Sequence, residues 1–107
     1  MLVLRQADAA ETSVAWKMAM ENTLTPTALI LSRQDIADLP AENGEGYQAR
    51  YQAALQAQRG GYVVKHAADA DVVLVANGSE VSTIVAAAKL IEAEGIKSQI
   101  RRREQRD

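Results

Sequence analysis

The sequence predicts an α/β fold made of partial parallel sheets of βαβ type: two incomplete units joined by a Gly-Gly linker. Three observations carry this reading. Short apolar runs at Met1–Leu4, Thr27–Leu31 and Asp71–Ala76 alternate with segments whose apolar residues recur every three to four positions. The first run, the periodic segment after it and the second run fit within about 30 residues, the size of one βαβ unit. Arg59-Gly60-Gly61 then breaks the chain at a natural boundary.

The elements follow in order. Met1–Leu4 is a strand from the outset. Asp8, followed three residues later by Glu11, resembles a capping box with Asp as the cap. Helix is expected from Ala9 to Glu21, with Val14, Ala15, Met18 and Ala19 as one apolar stripe and Trp16 and Met20 as a second. Such a helix wants cover on more than one side. Asn22 to Pro26 ends it. Thr27–Ser32 is expected to be a buried strand parallel to the first, because a βαβ crossover returns the chain in the same direction. Arg33–Asn43 is polar and turn-like. Tyr47, Tyr51 and Leu55 mark a short surface helix over 47–58. Tyr62-Val63-Val64 is a short strand, Asp71–Ala76 a buried one. Ser79 is expected to cap a helix from Glu80 to Glu94 with Val81, Ile84, Val85, Ala88 and Ile91 facing the core. Gly95 suits its carboxyl-terminal end. Ile96-Lys97 should open a closing strand, but Ser98–Asp107 is polar and Arg-rich and does not read as a buried one.

The 107 residues amount to one domain at most by length. Core material is thin: Leu, Ile and Val total 24, Phe is absent, and 20 alanines supply much of the 48% hydrophobic content. Alanine buries little area, so the apolar driving force is weaker than that percentage implies. The absence of Cys excludes disulfides and thiolate metal sites. No run approaches the roughly 20 apolar residues of a membrane span, and no secretory leader is evident, so the expectation is a cytoplasmic protein. The net charge of −2 is uneven: residues 1–100 carry 8 basic and 12 acidic groups, residues 101–107 four Arg against Glu104 and Asp107.

The central functional feature is Thr27-Ala28-Leu29-Ile30-Leu31-Ser32-Arg33-Gln34-Asp35. An apolar strand stops abruptly at a hydroxyl, a guanidinium and an amide. Ligands of open α/β sheets bind at the carboxyl ends of strands. Arg33 sits there, and a guanidinium is a fork of donors suited to phosphate or carboxylate. The competing reading of Arg33 is a solvated loop charge.

Several segments then resemble transketolase: Arg5-Gln6-Ala7-Asp8, Glu11, Ala15-Trp16-Lys17, Pro26–Gln34, Gly60–Val64 and Gly78-Ser79-Glu80. Their order and spacing resemble the join between the pyrimidine-binding middle domain and the carboxyl-terminal domain of that family, over roughly residues 1–97. The resemblance implies a division into 1–45 (end of the pyrimidine-binding domain), 46–61 (surface helix and linker), 62–97 (start of the carboxyl-terminal domain) and 98–107 (a non-matching basic tail). It implies a dimeric enzyme that uses thiamine diphosphate and Mg2+ or Ca2+ to move a two-carbon ketol unit between sugar phosphates in the pentose phosphate pathway. By resemblance Arg33, in the Ser-Arg-Gln motif, binds the substrate phosphate.

The departures are specific. The family has Pro at the Gln6 position, Asn at the Ala10 position and Asn at the Asp35 position. Asp35 brings a negative charge two residues from Arg33. The Gly-Asp-Gly…Asn motif for diphosphate and metal, the cofactor-activating glutamate and the active-site histidines are not in this chain. His66 matches none of them and reads as an exposed turn residue. No catalytic, cofactor-binding or metal-binding residue is therefore expected here. The chain is expected to be a fragment inactive alone, with no bound cofactor. The alternatives are an interaction module or split-enzyme subunit that pairs with a cofactor-binding partner, and a remnant that self-associates through exposed strand edges. The Arg-rich end departs from the family's Val-rich strand in the way a frameshift would produce, since CGN codons read one base later become GNC. Asn77-Gly78-Ser79 reads as an ordinary turn rather than an anion cradle. Arg101–Arg106, without interleaved aromatics, does not point to nucleic acid. Nor is a membrane partner expected.

Overall fold

The computed structural model describes residues 1–42 and 44–103. It contains two small sheets and three helices. Strand β1 (Leu2–Arg5) leads into helix α1 (Ala9–Glu21), which returns as β2 (Thr27–Ile30). The two strands pair in parallel with Leu2 opposite Thr27 and Arg5 opposite Ile30. Helix α2 (Gly46–Ala54) continues into a 3-10 turn, Leu55–Arg59. Strands β3 (Gly61–Lys65) and β4 (Val72–Ala76), helix α3 (Glu80–Ala93) and β5 (Ser98–Arg103) complete the chain. The second sheet has the order β3-β5-β4, with β4 parallel and β3 antiparallel to the central strand. The α/β expectation holds, in a small parallel sheet and a small mixed one.

Helix α1 begins as its capping residues dictate. Asp8 is extended and its Oδ1 accepts the Glu11 amide at 2.9 Å. The Glu11 carboxylate reaches back to the Ala7 amide at 3.1 Å. The Glu11 amide, which the first helical turn cannot satisfy internally, and the Ala7 amide just before the cap are thus bonded. Gly60, in the left-handed conformation at φ 93°, closes the 3-10 turn. Gly61 lies so close to β5 that a Cβ there would stand 2.9 Å from the Arg102 carbonyl oxygen. The Gly-Gly pair thus turns the chain and lets two strands meet.

The core is a single cluster that draws on both halves. Ala7, Ala10 and Val14 pack with Leu39, Ala54 and Ala57, and with Tyr62, Val64, Val81, Ala88 and Ile100. Val14 and Ala15 are buried from the first predicted stripe of α1, whereas Trp16 (56% exposed) and Met20 (77%) from the second stripe have no cover.

Four expectations are corrected. Ser98–Arg103 is not a non-strand tail: it forms β5, the middle strand, with Ser98, Ile100 and Arg102 buried. The polar sequence hid this because a buried guanidinium matched by a buried carboxylate serves where an aliphatic side chain was expected. The predicted tail residues 104–107 lie outside the described residues. Strand β2 is only half-buried, with Ile30 and Leu31 exposed. Strand β4 is likewise open, with Val72, Val73 and Val75 exposed. An apolar run shows that a strand is compatible with burial on both faces, and here one face lacks its covering layer. Finally, Ser79 makes no side-chain cap. It is already helical, and its carbonyl instead accepts the Ser82 hydroxyl. In α2 the buried positions are Arg50 and Ala54, while Tyr47 is exposed and stacks on Tyr51 with ring centroids 6.3 Å apart.

Candidate functional site

The in-register pairing of β1 and β2 brings their carboxyl ends level, so Arg5-Gln6-Ala7 and Leu31-Ser32 leave the sheet side by side. A shallow cleft of about 240 Å³ opens there, lined among others by Gln6, Thr12, Leu31, Ser32, Gln34 and Ile36. The amino-terminal turn of α1 forms another wall through Asp8 and Ala9. Gln6 is buried, yet neither atom of its amide meets a hydrogen-bond partner among the described residues. The Ser32 hydroxyl accepts the Gln34 amide at 3.0 Å, which tightens the turn after the strand. Arg33 sits between them. It is exposed, makes no ion pair with any described residue, and does not line the cleft itself. Asp35 is exposed as well.

Asp8 joins the cleft to a buried charge network of which only the capping box is visible in the sequence. Asp8 Oδ2 accepts the Arg50 Nε–H at 2.6 Å and the Leu39 amide at 3.0 Å. Glu11 Oε1 accepts the Arg102 Nε–H at 2.7 Å, and Oε2 accepts the Tyr62 hydroxyl at 2.6 Å and an Arg50 N–H at 3.2 Å. Arg102 also donates to the Arg5 carbonyl at 2.7 Å. Two carboxylates and two guanidiniums balance in charge, and each side chain is 4% exposed or less. Arg50 further stands 5.7 Å from the centre of the Tyr62 ring.

The electrostatics follow from that geometry. Burial lowers the Arg50 pKa, but the hydrogen bond and charge of Asp8, with the Tyr62 oxygen, outweigh it and raise it above its usual value. Burial, reinforced by the Glu11 charge, pushes the Tyr62 phenol well above its ordinary range. Arg50 therefore stays charged and Tyr62 stays a neutral donor at any physiological pH. The network is a fixed tie between α1, α2, β3 and β5 rather than a proton relay.

The remaining sequence candidates are placed plainly. His66 is exposed, as expected, in the loop just after β3 and before the turn at Ala68-Asp69. Its backbone N–H donates to Glu42 Oε2 at 2.7 Å and its Nδ1 lies 2.6 Å from Oε1. Burial raises the Glu42 carboxyl, but these contacts prevail and hold it below its usual range. The Asn77-Gly78-Ser79 turn is capped by protein: a Cβ on Gly78 would lie 3.3 Å from Arg5 Nε. Among the described residues no three His, Cys, Asp or Glu side chains converge as metal ligands. Asp8, the acid nearest the cleft, is already committed to Arg50, Leu39 and the Glu11 amide. These residues do not form a metal–diphosphate site. No described helix is long and apolar enough to cross a membrane.

Residues 60–101 match the transketolase-like TK C-terminal domain family. The transketolase of Cereibacter sphaeroides is 42% identical over 95 residues, which is 88% of this chain and 13% of that protein. The transketolase of Geobacillus stearothermophilus is 42% identical over 96 residues, again 13% of its length. Among solved structures, a transketolase mutant from Pichia stipitis in complex with fructose-6-phosphate superimposes with a TM-score of 0.76 at 40% identity. It covers 94% of this chain and 13% of that one. A chain described as "Split gene transketolase, inactive beta4 tetramer" gives a TM-score of 0.70 at 29% identity and is covered over 29% of its length. With both halves of the chain aligned across its Gly-Gly turn, it belongs to the transketolase family, as a segment spanning about 13% of the length of those relatives.

Proposed function

We propose that this chain supplies the phosphate end of a sugar-phosphate site in a transketolase, with Arg33 as the phosphate contact. The carrying observation is the position of Arg33. Its guanidinium is exposed, without an ionic partner among the described residues, at the carboxyl edge of a parallel pair and beside the cleft of Gln6, Ser32 and Gln34. A phosphate there would take the fork of Arg33, while the unpartnered amide of Gln6 is suited to a sugar hydroxyl. The whole enzyme, in this reading, is a cytoplasmic dimer of the pentose phosphate pathway that uses thiamine diphosphate and Mg2+ or Ca2+ for two-carbon ketol transfer. The chain by itself binds no cofactor and does not catalyse transfer, since carbanion chemistry at thiamine needs a cofactor held and activated by groups this segment lacks. The division at Gly60-Gly61 separates the end of a pyrimidine-binding domain (1–45, with a linking helix over 46–61) from the start of a carboxyl-terminal domain (62–97). The β5 strand carries the latter past residue 97 into the basic end, 98–107.

The test is an amide-resolved NMR titration of the 107-residue chain with fructose 6-phosphate and with fructose. Saturable shifts at Ser32, Arg33 and Gln34 with the phosphate ester only, lost in Arg33→Ala, are expected. Equal shifts with fructose, or no shifts, would overturn the assignment. A second reading is a split-enzyme subunit that pairs with a cofactor-binding partner. It is favoured by uncovered apolar residues, Trp16 and Met20 on α1, Ile30 on β2 and Leu31 just after it, and by the likeness to a split-gene transketolase chain. Ketol transfer that appears only on adding a chain bearing the diphosphate motif would establish it.

A further inference from the structure

The outer face of the β3-β5-β4 sheet carries a feature unrelated to the cleft at Arg33. Side chains alternate along β5: Ser98, Ile100 and Arg102 point into the core, and Arg101 and Arg103 point out. The pairing sets Val63 and Val75 on either side of Arg101, and Gly61 beside Arg103. Arg59, from the end of the 3-10 turn, joins them, and together they border an open groove of about 700 Å³. That size falls within the roughly 300–1,000 Å³ of small-molecule sites. Arg59, Arg101 and Arg103 are exposed, and none makes an ion pair with a described residue. Among the described residues no acidic side chain lines the groove. Gly60 and Gly61 leave its rim without side chains.

The Cα positions of the two outward arginines, two residues apart on one strand, stand about 7 Å from each other. A third, Arg59, lines the same groove, with no counter-charge among the described lining residues. Each is a planar fork matched to a phosphate. Three such forks along one groove carry more positive charge and more donors than a single tetrahedral anion takes up, and suit a chain of linked phosphates. The valine floor beside them accepts an apolar or aromatic group without hydrogen-bond demands. We infer that this groove binds a condensed phosphate chain, either inorganic oligophosphate or the triphosphate tail of a nucleotide, held by Arg59, Arg101 and Arg103 across the Gly60-Gly61 rim.

Isothermal titration of the 107-residue chain with inorganic triphosphate, orthophosphate and ATP at matched ionic strength tests this. Triphosphate is expected to bind saturably, one per chain, at least about tenfold more tightly than orthophosphate. Arg101→Gln and Arg59→Gln should each weaken it about tenfold or more, as loss of a hydrogen-bonded charge does. Lys17→Gln, at an exposed cation of α1 that does not line the groove, should leave it unchanged. Circular dichroism of each variant verifies the fold. ATP binding more tightly than triphosphate assigns the nucleotide as source, and equal binding assigns the phosphate chain alone. Triphosphate binding no tighter than orthophosphate, or weakened equally by Lys17→Gln, would overturn the site, and either result leaves the sugar-phosphate reading of Arg33 standing or falling by its own titration.

Discussion

Glu11→Gln removes one charge and almost no volume, and the structure dictates what that does. The carboxylate accepts four hydrogen bonds, from the Ala7 amide, Arg102, Arg50 and the Tyr62 hydroxyl. An amide has only one acceptor oxygen. If its NH2 takes the Oε1 place it faces the Ala7 and Arg102 donors. If it takes the Oε2 place it faces Arg50, with Tyr62 able to rotate. Either way a buried donor meets a donor, and two guanidiniums share the single carboxylate of Asp8. Breaking a buried pair this way costs about 3–5 kcal/mol. A domain of this size is stable by only about 5–15 kcal/mol, and an alanine-rich core puts this one toward the lower end. With a urea slope of about 1–3 kcal/mol/M, the unfolding midpoint should fall by roughly 2 M. Glu21→Gln is the control. It breaks the exposed Lys17–Glu21 pair at 2.9 Å, which is worth about 0.3–0.5 kcal/mol. Urea unfolding followed by far-ultraviolet circular dichroism reads both. A Glu11→Gln midpoint within about 0.5 M of wild type would refute the claim that these charges are buried and mutually dependent.

Three further outcomes are expected. Arg102→Met should destabilise the chain by about 3 kcal/mol or more by stranding the Glu11 carboxylate, while Arg101→Met should change stability by less than about 0.5 kcal/mol. Chemical denaturation of the pair checks the register of β5, because a one-residue slip would exchange the two results. Tyr62→Phe should cost about 1.5–3 kcal/mol by removing a hydrogen bond to a charged group. The Tyr62 pKa is raised on folding, so its stabilisation is complete below the unfolded phenol value of about 10 and declines as pH rises above it. Alkaline stability profiles should therefore fall less steeply above pH 10 in Tyr62→Phe than in wild type. Finally, Trp16→Gln combined with Met20→Gln, at exposed positions, should leave the unfolding midpoint nearly unchanged and reduce concentration-dependent association in sedimentation velocity. Association that persists undiminished places the sticky surface elsewhere.

The residues whose role depends on local rules were legible in the sequence. Asp8 and Glu11 announced the start of α1, the Val14–Met18 and Val81–Ala88 stripes announced which helix faces would be buried, and Gly60-Gly61 announced the turn. What was not legible depends on partners distant in the chain. Arg50 and Arg102 look like surface charges because nothing near them in sequence tells them apart from Arg59 or Arg101. Only the folding of α2 and β5 onto the start of α1 places them against Asp8 and Glu11, 42 and 91 residues away. The same holds for exposure. Thr27–Leu31 and Asp71–Ala76 have the composition of strands covered on both faces, and composition cannot report that a covering layer is missing. The pattern places Arg33 at the strand end, whereas a glutamine after a strand carries no signal of burial, so nothing in the sequence marks Gln6, whose stranded amide faces the same cleft.

The two features are mechanically linked. The loop that carries Arg33 leaves the sheet at Leu31 and is tied down again at Leu39, whose amide donates to Asp8 at 3.0 Å. Asp8 is in turn positioned by Arg50, and through Glu11 by Tyr62 and Arg102. The anchor of the loop is therefore assembled from α2, β3 and β5, all outside the βαβ unit that bears Arg33. A βαβ unit of this size has too little apolar surface to hold a mostly exposed loop in one place by packing, and Ile30 and Leu31 are in fact uncovered. The buried charges do what that packing does not. They explain why the second sheet, which contributes nothing to the cleft itself, is held against the first, and why the polar sequence of β5 is compatible with a central strand: its one inward guanidinium completes the charge balance on which the position of the Arg33 loop rests.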